Sequence, residues 1–297
     1  MISVLVCTYN QEKYISQTID SILKQKCNIS FEILIGDDCS TDGTSKIVDE
    51  YQKLYPSIVR VIRPLENAGA SYNIVRLIKN ARGEYVSICD GDDYWISENV
   101  LQIQYDYFQQ NGEVGMICAK AKCYNNKNKI FSGTLGSAIA ENLKSMLIHN
   151  QDVAAPTIAF RRNLMLKCIE DSSWYIENNY FYDTIMAYWF AYNSKVKFLD
   201  TELAVYRVLE NSACHSNDYN KLQQFSKRYY NVKWHFLLEN PLPIEVMNEI
   251  LMKDYVETCN NVEWMAKNDV YKSKSYRIGR LILSPFKFIK KLFNKLR

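Results

Sequence analysis

Three aspartates crowd into four residues of this chain, at Asp90, Asp92 and Asp93, with only Gly91 between them. They follow the apolar run 85–89, which is typical of a buried β-strand. Carboxylates this close repel one another and need a cation. Oxygen ligands suit Mg²⁺ or Mn²⁺, which carboxylates commonly share with substrate phosphates. The sequence therefore predicts a metal-assisted reaction on a phosphorylated donor. The alternative is a plain turn, but capping uses one carboxylate and leaves two unexplained.

A second acidic turn at 37–43 contains Asp37, Asp38 and Asp42, and it follows the strand-like run 31–35. In an open α/β sheet, ligands bind beyond the carboxyl ends of the strands. We therefore expect the two acidic turns to face one crevice. Turn formation explains Asp37 and Asp42 equally well, because aspartate caps helices and tolerates left-handed backbone.

The elements that must position these turns alternate in type. Strand-like segments and segments with helical spacing succeed each other through the first third, which predicts a mainly parallel sheet with helices on both faces. Thr41 is the predicted cap of the second helix. The predicted strands are 2–7, 31–35, 58–62 and 84–89, and the predicted helices are 15–23, 41–54 and 72–81.

Beyond Asp93 the pattern becomes less regular. The later predictions are a helix at 99–110, a strand at 114–121, a hairpin or loop at 124–129, a strand at 156–160, a helix at 180–192, two short β segments within 196–207, and helices over 218–271 that break at 240–243.

Composition indicates a folded protein, since 47% of the 297 residues are hydrophobic and 23% are charged. The run 1–7 lacks a basic start, so it is interpreted as a first strand and not a signal peptide, which predicts a cytoplasmic protein. The net charge of +3 is uneven: segment 272–297 holds nine Lys or Arg and no acid, which leaves 27 basic against 33 acidic residues in 1–271. Nothing outside that tail forms a basic stripe, so nucleic acid is excluded as a partner.

The tail 272–297 also repeats apolar residues at near-helical spacing, with Pro285 dividing it. A basic amphipathic helix binds anionic lipid headgroups, which predicts peripheral attachment to the inner face of the bacterial plasma membrane. The alternative is a helix docked on its own domain or on the partner of a homodimer.

Four motifs occur in a recognisable order: 4–14, 35–44, 67–69, and 83–86 leading into 90–95. In this order and spacing they resemble the family 2 glycosyltransferases of the GT-A fold, almost continuously over the first 110 residues. The resemblance continues more thinly through 156–162 and 205–207 to about residue 216.

The resemblance implies an α/β GT-A fold: a Rossmann-like nucleotide-diphospho-sugar transferase with a mixed, mainly parallel sheet flanked by helices and a helical C-terminal extension. It implies a catalytic domain at 1–216, with a donor half at 1–110 and an acceptor half at 111–216. A helical extension at 217–271 and the basic tail would follow.

The resemblance also implies roles for donor-site residues. Thr8, Tyr9, Asn10 and Glu12 are expected at the nucleotide base and ribose, and Asp38 at the uracil ring, where a carboxylate accepts the N3–H. Asp90 and Asp92 match the family's DxD motif, which holds the ribose and the divalent ion. Asp93 either binds the metal directly or orients Asp92. The ion, Mn²⁺ or Mg²⁺, neutralises the departing diphosphate.

Catalysis by inversion also needs a base for the acceptor hydroxyl. Asp183 matches the position of the family's base, with Tyr182 in place of the usual Glu; an ordinary helix-opening Asp is the alternative. Relatives often carry a His where Leu209 stands, so His215 is considered as a substitute metal or diphosphate ligand, against a solvated surface His. Arg207 is the stronger diphosphate candidate, because a guanidinium binds phosphate oxygens in pairs.

Trp95 and Trp174 are the candidate acceptor contacts, since Trp95 adjoins the acidic turn. Together these residues predict a metal-dependent inverting glycosyltransferase that moves a sugar from a nucleotide-sugar, most simply a UDP-sugar, to a saccharide or lipid-linked acceptor in cell-surface polysaccharide synthesis. Two other classes remain open. A nucleotidyltransferase would need a glycine-rich basic loop that 8–12 does not provide, and a non-catalytic member would have Asp183 facing away from the pocket.

Overall fold

The computed structural model describes residues 1–149, 153–180, 182–209 and 219–265. The strands are β1 Ile2–Thr8, β2 Phe31–Asp37, β3 Val59–Ile62, β4 Tyr85–Ile88, β5 Tyr94–Trp95, β6 Val114–Asn125, β7 Ile130–Leu135, β8 Ala159–Arg161 and β9 Lys195–Val208. The α-helices are α1 Ile15–Leu23, α2 Thr44–Leu54, α3 Ala70–Asn80, α4 Val100–Gln110, α5 Leu143–His149, α6 Arg162–Asp171, α7 Ser173–Glu177, α8 Tyr182–Asn193, α9 Tyr219–Glu239 and α10 Ile244–Met265.

All nine of these strands form one mixed sheet, in the order β3-β2-β1-β4-β8-β6-β9-β5, with β7 paired to β6. The half that contains β3, β2, β1 and β4 is entirely parallel. Strand β8 then runs antiparallel to both β4 and β6, whereas β6 and β9 are parallel to each other. The predicted fold class, a mixed α/β sheet flanked by helices, is confirmed.

Helices cover both faces of the parallel half. Val4 and Val6 of β1 belong to a core that includes Ile15 and Ile19 of α1, while the intervening Leu5 is also fully buried. A strand that is buried on both faces has a nearly continuous apolar sequence and does not alternate apolar with polar residues. The sequence of β1 is of this continuous type. This packing fixes the carboxyl ends of β1, β2 and β4 against rigid elements.

Three local predictions were wrong. The strand predicted at 156–160 is the shorter β8, because Ala155–Thr157 form a 3₁₀ turn before it. The segment predicted as two short β pieces within 196–207 is one strand, β9, whose pairing with β6 shifts register between Ala119 and Ala121. The polar residues inside it therefore mark irregular pairing and not a break in the strand. Thr41 does not cap α2, because the helix begins at Thr44, whose backbone N–H donates to the Asp42 carboxylate at 2.9 Å.

The chain divides into two compact units, 1–240 and 241–297, of which the second is described as far as residue 265. Helix α9 belongs to the first unit: Val232, Phe236 and Leu237 are buried, and the Tyr229 and Tyr188 hydroxyls lie 2.7 Å apart. The boundary between these units falls at the predicted helix interruption at 240–243, and the division of function at residue 216 stays a prediction. The tail 272–297 and His215 lie outside the described residues, as do their predicted roles.

Within the described residues no helix combines the length and apolarity that crossing a bilayer requires.

Gly83 allows the chain to pass closely between two strands. A Cβ at this position would lie 2.5 Å from the Ser3 backbone nitrogen and 2.7 Å from the Tyr85 carbonyl oxygen. Backbone atoms cannot move aside as a flexible side chain can. We therefore expect Gly83→Ala to lower the free energy of unfolding by about 1–3 kcal/mol, the usual cost of overpacking. Urea denaturation measures this change in the free energy of unfolding. Gly112→Ala is the matched control, because nothing lies within 4 Å of its added Cβ. Equal effects of the two substitutions would contradict the steric explanation.

Candidate functional site

Three strand ends meet at one edge of the sheet. Strand β1 pairs in parallel with β2, where Thr8 is aligned with Asp37, and also with β4. The Asp38 backbone N–H donates to the Thr8 carbonyl at 3.1 Å, and the Gly91 N–H donates to the Cys7 carbonyl at 2.9 Å. The turn after β1 therefore lies between the two acidic turns, so both acidic turns end at the same edge, as the sequence predicted.

Seven hydrogen bonds join the turn after β1 (8–12) to the turn after β2 (37–44), including the bond from Asp38 to Thr8 given above and one from the Thr41 hydroxyl to Asn10. The Asn10 carboxamide oxygen accepts the Thr41 N–H at 2.7 Å, and the Glu12 carboxylate accepts the Gly43 N–H at 2.8 Å. Three more donors are the backbone N–H groups of Asn10, Gln11 and Glu12, which bond to Ser40, Thr44 and Asp42. The side chains of Asn10 and Glu12 thus brace the turns, and their contact with a nucleotide stays a prediction.

Left-handed backbone occurs in both turns, at Asn10 with φ 52° and at Cys39 with φ 61°. Such geometry is uncommon for residues other than glycine and asparagine. Tyr9, next to Asn10, is 47% exposed, which leaves its ring open at this edge of the sheet. An exposed aromatic ring held by a braced turn is suited to stacking on a planar base.

Asp37 and Asp38 are adjacent and buried, but their carboxylates bond to different parts of the structure. Asp37 holds the turn: it accepts from the Ser40 N–H at 3.1 Å and from the Arg63 guanidinium at 2.9 Å. Burial would raise the pKa of this carboxyl, but the hydrogen bonds from Ser40, Ser45 and Arg63 outweigh burial and lower it. The interpretation of Asp37 as a turn former agrees with these contacts.

Asp38 is bound to the glycine-containing loop that begins at Asn67. Its two carboxylate oxygens accept the Ala68 N–H at 3.1 Å and the Gly69 N–H at 2.7 Å. Gly69 has φ 85°, a conformation that residues with a Cβ rarely adopt. A carboxylate offers about four lone-pair sites, so Asp38 keeps acceptor capacity beyond these two bonds.

The acidic turn presents its three carboxylates unequally. Asp93 is 2% exposed, and its carboxylate accepts the Arg207 backbone N–H at 2.8 Å. Asp90 and Asp92 are half-buried. The Thr18 hydroxyl braces the turn from α1 through the Gly91 and Asp93 carbonyl oxygens, at 2.9 and 2.6 Å. Burial raises the pKa of Asp93, and the neighbouring charges of Asp92 and Asp90 raise it further.

Protein side chains would supply only some of the ligands of a divalent ion at the acidic turn. The described residues contain no group of three His, Cys, Asp or Glu side chains able to hold a metal together. Two buried polar atoms next to Gly91, the Thr8 hydroxyl and the Gln11 carboxamide oxygen, have no hydrogen-bond partner among the described residues. Gln11 also bonds to the Asp92 carboxylate. Half-buried carboxylates beside unpaired oxygens fit an ion whose remaining ligands are diphosphate oxygens and water.

Arg207 lies behind the acidic turn. Its side chain is 5% exposed, and the guanidinium carbon is 5.1 Å from the ring centroid of Tyr14 and 4.6 Å from that of Tyr94. The guanidinium donates to the Asp92 carbonyl oxygen and to the Gln17 carboxamide oxygen. Its predicted contact with a diphosphate stays a prediction.

Asp183 lies in the first turn of α8 and is half-buried. Burial raises the pKa of its carboxyl, although the Thr184 backbone N–H, 2.8 Å from Oδ1, and the Thr184 hydroxyl partly oppose this. The chain before α8 is bonded to the start of α3, where the Ser71 hydroxyl donates to the Tyr180 carbonyl. Because Gly69 immediately precedes α3 and bonds to Asp38, this contact holds the approach to α8 beside the Asp38 turn.

The two candidate acceptor tryptophans lie in different surroundings. Trp95 is 4% exposed within the core, and its indole N–H donates to the Pro156 carbonyl at 2.8 Å, so a sugar would have to displace the core to stack on it. Trp174 is half-buried and stacks on His235, with ring centroids 3.7 Å apart. Four residues at the acidic turn were not predicted as site residues, because their partners are far away along the chain: Gln11, Tyr14, Gln17 and Tyr94.

The comparisons identify the family. Residues 3–169, more than half of the chain, match Glycosyl transferase family 2. A putative teichuronic acid biosynthesis glycosyltransferase of Bacillus subtilis, TuaG, is 36% identical over 110 residues, which is 37% of this chain and 42% of TuaG. The aligned region spans less than half the length of several curated relatives.

Solved structures agree on the fold. S. aureus TarS 1–349 superposes with a TM-score of 0.64 at 19% identity, covering 90% of this chain and 75% of that one, and TarS has also been solved with UDP and with UDP-GlcNAc. The Pyrobaculum calidifontis mannosyltransferase PcManGT, in complex with GDP-Man and Mn²⁺, has a TM-score of 0.52 at 15% identity, covering 96% and 87%. At these identities the likeness concerns the fold alone. The match over residues 3–169 shows that this chain belongs to family 2 of the glycosyltransferases.

Proposed function

We propose that this chain is a metal-dependent inverting glycosyltransferase that moves a sugar from a UDP-sugar to a saccharide or lipid-linked acceptor in cell-wall polysaccharide synthesis. The observation that carries this proposal is the convergence of Thr8, Asp38 and the half-buried Asp92 on one sheet edge in a family 2 chain. Relatives named for teichuronic acid biosynthesis and for poly(ribitol-phosphate) glucosylation support the polysaccharide class.

The donor nucleotide would lie across the braced turns. Tyr9 stacks on the base through its exposed ring, and Asp38 accepts the base N3–H with the lone pairs that Ala68 and Gly69 leave open. Thr8, Asn10 and Glu12 shape the base and ribose pocket, and Asp90 accepts a ribose hydroxyl. The structures of TarS with UDP and UDP-GlcNAc support a uridine donor by analogy of fold.

The divalent ion, Mn²⁺ or Mg²⁺, would be held by Asp92, with Asp93 orienting the turn. Asp92 is the more exposed of the two, whereas the Asp93 carboxylate is buried and accepts the Arg207 N–H. When bound, such an ion neutralises the charge that develops on the departing diphosphate.

In the proposed chemical step, Asp183 takes the proton of the acceptor hydroxyl. As the acceptor hydroxyl oxygen bonds to the anomeric carbon, its proton passes to the Asp183 carboxylate, and the bond from that carbon to the diphosphate oxygen breaks with its electron pair. Attack opposite the leaving group converts an α-linked donor into a β-linked product through an oxocarbenium-like transition state. A raised pKa suits a base that must accept a proton near neutral pH.

A lipid-linked acceptor agrees with the composition of the tail 272–297, whose nine basic residues would bind an anionic membrane surface. This places the enzyme at the inner face of a bacterial plasma membrane, and pairing of two tails in a homodimer is the alternative. Trp174 remains a candidate acceptor contact and His215 a candidate metal or diphosphate ligand.

A panel of donors tests the proposal. Purified protein with Mn²⁺ or Mg²⁺ is given UDP-, GDP- and dTDP-sugars, and the release of nucleoside diphosphate and the binding of each nucleotide are measured. We expect metal-dependent release of UDP from one UDP-sugar. Binding without any turnover, with or without a set of bacterial polysaccharide acceptors, would favour the non-catalytic class, and release of pyrophosphate from a nucleoside triphosphate would favour a nucleotidyltransferase.

A further inference from the structure

The surroundings of Arg207 differ from those of a phosphate ligand. Two aromatic rings face its guanidinium, at 5.1 Å for Tyr14 and 4.6 Å for Tyr94, and only 5% of the residue is exposed. Cation–π contacts of this kind are strongest when they are desolvated. A guanidinium held in this way does not present its donor fork to a ligand.

The donors of Arg207 are directed at the acidic turn. The side chain donates to the Asp92 carbonyl and to Gln17 of α1, and the backbone N–H donates to the Asp93 carboxylate at 2.8 Å. One residue of β9 therefore fixes two consecutive residues of the acidic turn. Because Tyr94 follows that turn directly and pairs with Val205, the same strand also holds the residue that covers the guanidinium.

Tyr14 is itself held in place. Its hydroxyl accepts from the Asn126 carboxamide at 3.1 Å, which ties it to the loop between β6 and β7. The ring contact and this hydrogen bond are separate interactions of one side chain. They can be removed one at a time, which allows the contribution of the ring to be measured alone.

We propose that Arg207 is a positioning residue, which fixes the Asp92–Asp93 backbone so that Asp92 faces the metal and the donor, and which does not bind the diphosphate itself. Tyr14, Tyr94 and Gln17 form a cage around it and share this role. The proposal rests on the proposed function, since it assigns the metal to Asp92. It replaces the diphosphate contact that the sequence alone predicted for Arg207.

Binding of UDP and uridine separates the two roles. Calorimetry measures the affinity of each for the protein in EDTA and in Mn²⁺. A diphosphate ligand contributes to the preference for UDP over uridine even in EDTA, whereas a positioning residue acts on the gain in UDP affinity that Mn²⁺ provides. The variants are Arg207→Lys, which keeps the charge, Tyr14→Leu, which removes the ring, and Tyr14→Phe, which keeps it.

We expect Arg207→Lys and Tyr14→Leu each to lower the Mn²⁺-dependent gain in UDP affinity by about tenfold. Lysine lacks the planar fork that reaches Asp92 and Gln17 together, and leucine removes one of the two rings that face the cation. Tyr14→Phe should retain that gain, and the UDP-to-uridine ratio in EDTA should be unchanged in all three. Tyr51→Phe, on α2 and hydrogen-bonded to Asp20 at 2.7 Å, is the control for loss of a tyrosine hydroxyl.

A fall of the UDP-to-uridine ratio in EDTA for Arg207→Lys, with a normal metal response in Tyr14→Leu, would overturn the proposal in favour of a diphosphate ligand. If Arg207→Lys does not fold, as judged by thermal denaturation, the pair Tyr14→Leu and Tyr14→Phe decides alone, and equal metal responses in that pair overturn it. If the wild-type protein binds no UDP in Mn²⁺, the proposed function fails as well, so the two failures are distinguishable.

Discussion

Asp183→Asn is expected to lower kcat by about 10²- to 10⁴-fold, the range that general bases contribute, while UDP binding stays near the wild-type value. Asn keeps the shape of the side chain and can still accept from the Thr184 N–H, but it cannot take a proton. Steady-state kinetics with the donor from the panel measures the loss, and calorimetry with UDP measures the binding. Asp106→Asn, at an exposed position on α4, is the matched control.

The pH dependence of the wild-type enzyme should show the same group. A base works as the carboxylate, so the rate falls as pH drops through the pKa of Asp183. Because burial raises this pKa, the fall should begin above the value of about 4 that is typical of aspartate. The acid limb of the plot of kcat/KM against pH measures the pKa of Asp183. A wild-type rate in Asp183→Asn, or the same acid limb in both proteins, would leave Asp183 as an ordinary helix-opening residue.

The raised pKa of Asp183 also has a cost in stability. A carboxyl whose pKa is higher in the folded than in the unfolded state stabilises the fold at low pH, and this contribution is lost as pH rises through the folded pKa. Replacement by neutral Asn removes that loss. Urea denaturation should therefore show Asp183→Asn gaining stability relative to wild type as pH rises towards neutrality, which is the usual trade between activity and stability at an active site.

The first third of the fold was predictable because its signals are local. Apolar runs ending in polar turns defined β1, β2 and β4, and parallel pairing then required their carboxyl ends to meet at one edge of the sheet. The later strands were harder, because β9 pairs with β6 through shifted register and its polar positions look like interruptions in a single sequence. Periodicity carries no information about register irregularity.

The types of residue at the candidate site were predictable from the sequence, but their hydrogen-bond partners were not. Asp38 stood out as a strand-end acid, yet its bonds to the Ala68 and Gly69 amides join segments about thirty residues apart. The bond between Arg207 and Gln17 spans most of the chain. One sequence shows which side chains can do chemistry, but long-range hydrogen bonds follow from packing, which decides whether an arginine faces a ligand or holds a turn.

The second large effect is expected at the acidic turn. Asp92→Asn should lower kcat by about 10²- to 10³-fold, equivalent to several kcal/mol of charge stabilisation by the metal, and should abolish the gain in UDP affinity that Mn²⁺ provides. Uridine binding should be unchanged, because the proposed base site is formed by the turns after β1 and β2 and not by Asp92. Asp200→Asn, which alters an exposed acid paired with Lys120, is the control for general loss of charge.

Asp93→Asn makes this prediction specific to one residue. Its carboxamide oxygen can still accept the Arg207 N–H, so the turn should keep its shape and most of its metal response. If Asp93→Asn loses the Mn²⁺-dependent gain and Asp92→Asn keeps it, Asp93 is the metal ligand and the buried carboxylate must turn towards the donor on binding. If neither substitution changes the metal response, the acidic turn does not hold the ion. The brace at Asp93 and the ligand at Asp92 thus predict opposite results from two chemically identical substitutions one residue apart.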